Sequence, residues 1–286
     1  MKILETLLAA AVLALPIPAT ALNMILGDVE VRNLGAYGFT AGNSFFATDA
    51  GTAGGPTDQL FQMFSYIANA SGSTRADASA FNVSQAITQV GPGIAQSSII
   101  LNGAGAAALG LNAGDLEIGY SFELVDDTSP ADQDFLRWRF SITNNSAAAI
   151  SFSFYNYLDL DLGGAASFAN DVAVGNLSTI TVTDAGNPAL PPYVWFSSMP
   201  ATHFQIGAYP GLRNQLDGMA AAQNLTDGVA NFGPADFTGA FQYDLTIAAG
   251  QTLAFATGVP EPGPGALLGL VAGLLGLHGH QRRRTA

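Results

Sequence analysis

The sequence predicts an all-β fold, an antiparallel β-sandwich of jelly-roll type, on three observations. Apolar and polar residues alternate along its best-patterned segments, a period of two that puts one face on a core and the other in water. Clusters of Gly, Asn, Asp and Pro interrupt these segments at short intervals. Helical spacing is confined, within the central region, to Gly211–Asn224, where Leu212, Leu216 and Met219 recur on one side.

Taken in chain order, the first element is not part of the sandwich. Met1-Lys2 is followed by an apolar run from Leu7 to Leu15, by Pro16 and Pro18, and by the small-x-small triplet Ala19-Thr20-Ala21. A basic start, a short apolar stretch and a small-residue exit make residues 1–21 a secretory signal peptide, with Ala19 and Ala21 at the cleavage site. The exported domain then runs over residues 22–258. Its strand candidates begin with Val29–Val31, Leu60–Ile67, Phe81–Val90 and Ser98–Leu101. Gly103–Gly110 reads as a long loop or an internal boundary. In Glu117–Leu124 the residues Ile118, Tyr120, Phe122 and Leu124 share a face, and Phe135–Ile142 sets Leu136, Trp138, Phe140 and Ile142 inward with Arg137 and Arg139 outward. Ile150–Leu160 continues the alternation. The turn residues Thr143-Asn144-Asn145-Ser146 suggest that it forms a hairpin with Phe135–Thr143. Val172–Thr183, Tyr193–Phe196, Phe204–Ala208, Phe237–Ile247 and Thr252–Ala256 complete a sandwich of roughly ten strands.

Residues 259–286 form a separate unit. Val259-Pro260-Glu261-Pro262 precedes the uncharged run Ala266–Leu277, and the chain closes on Arg282-Arg283-Arg284. As a helix, Gly265 to Gly279 would span roughly 22 Å, short for a hydrocarbon core of about 30 Å. The arginines would stay on the cytoplasmic side. In order and spacing this tail resembles the PEP-CTERM sorting signal of exported proteins in Gram-negative bacteria. The resemblance covers only this tail and implies an exosortase substrate. Signal peptidase and exosortase would be partners during export, and the inner membrane a transient one. The destination would be the cell surface or an exopolysaccharide-associated extracellular matrix.

Composition narrows the chemistry. Cysteine is absent, so disulfides, thiolate catalysis and Cys-bound metals are excluded. The domain has five arginines, Arg32, Arg75, Arg137, Arg139 and Arg213, no lysine, and twenty acids, a net charge of −15. Nucleic acid is therefore not expected as a partner, and a lysine base is impossible. His203 is the only histidine outside the tail, which excludes a multi-histidine metal site, and no Gly-x-Ser-x-Gly elbow accompanies it.

Carboxylates are the remaining reactive groups. Asp126, Asp127, Asp132 and Asp134 cluster around one loop. Asp159 and Asp161 share a face at a strand end, with Gly163-Gly164 next and Asn170-Asp171 beyond. Hard oxygen ligands of this kind suit Ca²⁺, and these six aspartates are the candidate ligands; no other cofactor is expected. Paired acids would also serve glycoside hydrolysis. Trp138, Trp195, Tyr155, Tyr157, Tyr193 and Tyr209 would stack on sugar rings wherever they are exposed. The reading drawn from these residues is a non-catalytic exported surface or matrix protein, not an enzyme and without catalytic residues. The alternatives are a carbohydrate-binding module and a secreted carboxylate-dependent hydrolase.

Overall fold

The computed structural model describes residues 21–260, apart from 28, 40–44, 48–56, 59, 127–134, 163–166, 189–191, 219–223 and 228–230. The expected all-β antiparallel sandwich is what it shows, with more strands than the sequence reading found: nineteen among the described residues. Several are two to six residues long, too short for alternation to mark them. A nine-stranded sheet has the order Phe232–Ala235, Asp171–Gly175, Thr179–Asp184, Tyr193–Ser197, Thr252–Pro260, Phe135–Asn144, Leu116–Val125, Ile94–Ile100 and Asn82–Gly91. A six-stranded sheet runs His203–Ala208, Phe237–Ile247, Ile150–Leu160, Leu60–Asn69 and Gly38–Phe39, with Arg75–Asp77 also paired to Leu60–Asn69. Leu22–Leu26, Val29–Leu34, Phe45–Ala47 and Thr57–Asp58 make a third, smaller sheet.

The two large sheets bury a shared core. Ile118, Tyr120, Phe122, Leu136, Trp138 and Phe140 of the nine-stranded sheet meet Phe152, Phe154, Leu158, Phe241 and Tyr243 of the six-stranded one. Ring contacts cross the interface, with Phe140 edge-on to Phe154 at 4.9 Å and Trp195 tilted against Phe241 at 4.4 Å. On the outer face, Arg137 and Arg139 both reach Glu123 at 2.9 Å and hold its carboxyl below the usual carboxylate range against the opposing effect of burial.

Two sequence expectations are corrected here. Phe135–Asn144 and Ile150–Leu160 are not a hairpin. The first pairs with Leu116–Val125 and Thr252–Pro260, the second with Phe237–Ile247 and Leu60–Asn69. The turn between them carries the chain from one sheet to the other. Alternation determines which face a side chain takes, not which strand lies alongside, and two inward faces can meet across a core as well as within a sheet. Gly103–Gly110 is not a boundary either, because Gly103–Ala108 forms a short helix, α1, whose Ala106 is buried.

The six-stranded sheet is covered on its outer side as well. A second helix, α2, spans Gly211–Asp217, shorter than the sequence suggested, and Met219 lies outside the described residues. Leu212 and Leu216 of α2, with Leu225, pack on Phe64, Tyr66, Tyr155, Tyr157 and Ala240. Tyr66 donates to Asp217 at 2.6 Å, and the Arg213 guanidinium lies 4.0 Å from the centroid of the Phe64 ring. Burial on both sides explains why every residue of Ile150–Leu160 except Ser151 is buried. Gly233 brings the edge strand Phe232–Ala235 close to its neighbour: its φ is +96°, and a Cβ there would sit 2.0 Å from the Asp171 carbonyl oxygen.

Candidate functional site

The covered face of the six-stranded sheet ends in a cluster of acids. Along Ile150–Leu160 the alternation turns Phe154 and Leu158 into the sandwich and Tyr155, Tyr157 and Asp159 outward. Asp159 lies opposite Thr238 on one side and Gln62 on the other. Asp161 follows just beyond the strand end. Asp236 stands at the entry to Phe237–Ile247, and the Tyr209 amide donates to its carbonyl at 3.0 Å. One carboxylate oxygen from each of Asp159, Asp161 and Asp236 lies within 4.8 Å of the other two. Phe61, Phe168 and Tyr209 complete the lining of a cavity of about 260 Å³. Phe61 and Tyr209 meet edge-on at 6.0 Å, while Phe168 and Tyr209 are 40% and 37% exposed.

The electrostatics are those of crowded, desolvated acids. Burial, then the charges of Asp161 and Asp236, push the Asp159 carboxyl up to about 8. Tyr157 donates to its Oδ2 at 3.4 Å, and the Tyr157 hydroxyl is itself pushed upward by burial and by Asp159. Arg213 pulls Asp159 back only weakly, since its guanidinium is held by Asp217 at 2.6 Å. Burial raises Asp236 to about 6. Asp171 pairs with Ala235, next to Asp236, and is fully buried. Burial and the charges of Asp184, Asp161 and Asp236 raise it to about 9. The Leu162 amide offsets part of this without reaching good hydrogen-bond geometry. Buried carboxyl oxygens without a hydrogen-bond partner are Asp159 Oδ1, Asp236 Oδ1 and both oxygens of Asp171. A protonated acid beside ionised neighbours can exchange a proton with a sugar hydroxyl. The same oxygens, free of protons, can grip a hard cation.

The structure brings Asp159 and Asp161 together, as their spacing suggested, and adds Asp236 from far along the chain. Asp126 lies elsewhere, its carboxylate packed against Gly27, and Asp127, Asp132 and Asp134 lie outside the described residues. Of the six aromatic candidates only Tyr209 is exposed; Trp138, Trp195, Tyr155, Tyr157 and Tyr193 are core residues. His203 bonds Asp227 through Nδ1 at 2.7 Å, while Ser153 donates to Asp244 at 2.6 Å, so no serine–histidine pair forms there. Val259 and Pro260 are the last rungs of the strand Thr252–Pro260, opposite Leu136 and Phe135. Ala21 is exposed just before the first strand. Ala19, Glu261, Pro262 and Arg282–Arg284 lie outside the described residues. Among the described residues, no helix is long and apolar enough to cross a membrane.

No family model matches the chain, and no curated protein does. Solved structures do. A bacterial glucoamylase complexed with acarbose superposes with a TM-score of 0.55 at 9% identity, over 92% of this chain and 36% of its own length. An aldose epimerase homologue from C. elegans superposes with a TM-score of 0.51 at 9% identity, over 84% of this chain and 98% of its own. The chain thus spans about a third of the glucoamylase. At such identities the likeness is one of fold. The likeness overturns the expectation of a non-catalytic surface protein that is not an enzyme, since the fold is shared with the glucoamylase and the epimerase homologue. The sequence offered paired acids but not their convergence in space, and carboxylates alone can carry acid–base chemistry on sugars.

Proposed function

We propose that this chain is a carbohydrate-active protein whose sugar site is the cleft bounded by Asp159, Asp161, Asp236, Phe61, Phe168 and Tyr209. One observation carries the reading. Two large aromatic side chains, Phe168 and Tyr209, stay exposed at the mouth of a carboxylate-lined cavity, while the other aromatics of the six-stranded sheet's covered face are packed away. Exposed rings beside acceptor oxygens match a sugar, which offers an apolar C–H face and a rim of hydroxyls. The resemblance of the folds to the glucoamylase and the epimerase homologue supports the same ligand class. The Ca²⁺ expected of Asp159 and Asp161 belongs to this site as well, beside the sugar. Binding and turnover of an oligosaccharide panel, followed by calorimetry and reducing-end assay, test the reading. Tyr209→Ala should weaken binding about tenfold, the loss of one stacking contact. Unchanged affinity in both Tyr209→Ala and Phe168→Ala would reject this cleft.

We also propose that the tail directs export, which would put the sugar site in contact with extracellular polysaccharide. Mass spectrometry of the secreted protein should show a mature chain without Arg282–Arg284; a mature chain retaining them would reject processing at Pro260-Glu261-Pro262.

A further inference from the structure

We infer that Asp159, Asp161 and Asp236 together form a site for one divalent cation, Ca²⁺ by its ligand chemistry, beneath the sugar seat. These three carboxylates each place an oxygen within 4.8 Å of the other two. Asp171, fully buried on the strand paired with Ala235, adds a further acid nearby. Crowding alone would not make a site. What points to a ligand is that Asp159, 1% exposed and part of the cavity lining, keeps a carboxylate oxygen without a hydrogen-bond partner, and that Asp236, in the same lining, keeps a buried one as well. A buried acceptor left without a partner is costly, so native structures seldom leave several together. No side-chain cation among the described residues answers them: Arg213 acts on Asp159 but is bound to Asp217 and stacked on Phe64.

The donors are all hard oxygen, from three side chains on two chain segments that line one cavity. Ca²⁺ suits such a set because it accepts six to eight oxygens in loose geometry, including bidentate carboxylates, and completes its shell with water or hydroxyls. Mg²⁺ demands a tighter octahedron and keeps more of its own water. The open positions would face the mouth between Phe168 and Tyr209. There, two adjacent sugar hydroxyls could replace water, so the preferred ligands would carry a vicinal diol. This last step rests on the sugar reading; the cation site does not.

The test is calorimetric titration of the full-length protein, stripped with EDTA, first with CaCl₂ and then with an oligosaccharide. Saturable Ca²⁺ binding is expected, weakened at least tenfold by Asp159→Asn and by Asp236→Asn and unchanged by Tyr209→Ala. Sugar binding should require Ca²⁺ in the wild type and weaken about tenfold in Tyr209→Ala. Absence of saturable Ca²⁺ binding, or Ca²⁺ binding that ignores both Asn variants, would overturn the cation site, whatever the sugar result. Ca²⁺ binding as expected with no sugar binding would support the cation site and sink the sugar reading instead.

Discussion

The metal-free protein will lose stability as pH rises from about 5 to about 9. The sign follows from three raised carboxyls. Asp236, Asp159 and Asp171 hold their protons to about 6, 8 and 9 in the folded state. In the unfolded chain they release them near 4. The folded state therefore binds protons that the unfolded state has lost. The resulting stability is full below the unfolded value and disappears as pH climbs through each folded value. The carboxyls lowered by arginine, Glu30 and Glu123, act the other way, and their effect falls below this window. Each tenfold difference in proton affinity between the folded and unfolded chain is worth about 1.4 kcal/mol, and because the three acids titrate as one coupled set the loss is several kcal/mol, well below the sum for three independent groups. For a domain of this size that lowers Tm by about 10 °C or more. Scanning calorimetry in EDTA across the window checks it, and Asp171→Asn should flatten the decline and raise Tm at the alkaline end. A Tm that is constant or increases with pH would show that these carboxyls are not desolvated together.

The second large effect lies in the core. Trp138→Ala should cost about 4 kcal/mol in urea denaturation. Trp138 is 1% exposed, and its ring lies 4.6 Å from Phe140, 5.6 Å from Phe122 and 6.0 Å from Tyr120, so truncation empties the middle of the nine-stranded sheet's inner face. Trp138→Phe should cost much less than the Ala variant. It restores most of the packing and removes an indole N–H that has no hydrogen-bond partner in the structure. Phe168→Ala, an exposed position, should stay within about 0.5 kcal/mol of the wild type. Equal losses at Trp138 and Phe168 would contradict the division between core and rim aromatics.

That division marks how far the sequence could be read. Period-two alternation identified the inward sets Ile118–Leu124 and Leu136–Ile142 because each residue has one face to choose and a single core behind it. It could not pair strands, so the turn at Asn144–Ser146 looked like a hairpin when it crosses between sheets. It also failed at Ile150–Leu160, where α2 covers the second face and polar positions are buried too. At the site, Asp159 and Asp161 were legible because a spacing of two in a strand keeps side chains on one side. Asp236 was not, since only the register between Asp159 and Thr238 brings the start of the strand Phe237–Ile247 beside the end of Ile150–Leu160. Phe168 carried no local signal. It sits on the single turn of helix Phe168–Asn170, too short for any residue spacing to mark its exposed side.

A crystal structure of the protein grown with CaCl₂ and a bound oligosaccharide tests the central claim most directly. The expected result is a sugar ring stacked on Tyr209 or Phe168, with two of its hydroxyls on a Ca²⁺ held by Asp159, Asp161 and Asp236. A sugar bound on the polar outer face of the nine-stranded sheet, around Gln96, Glu117 and Arg139, with the carboxylate cleft holding only solvent, would contradict it.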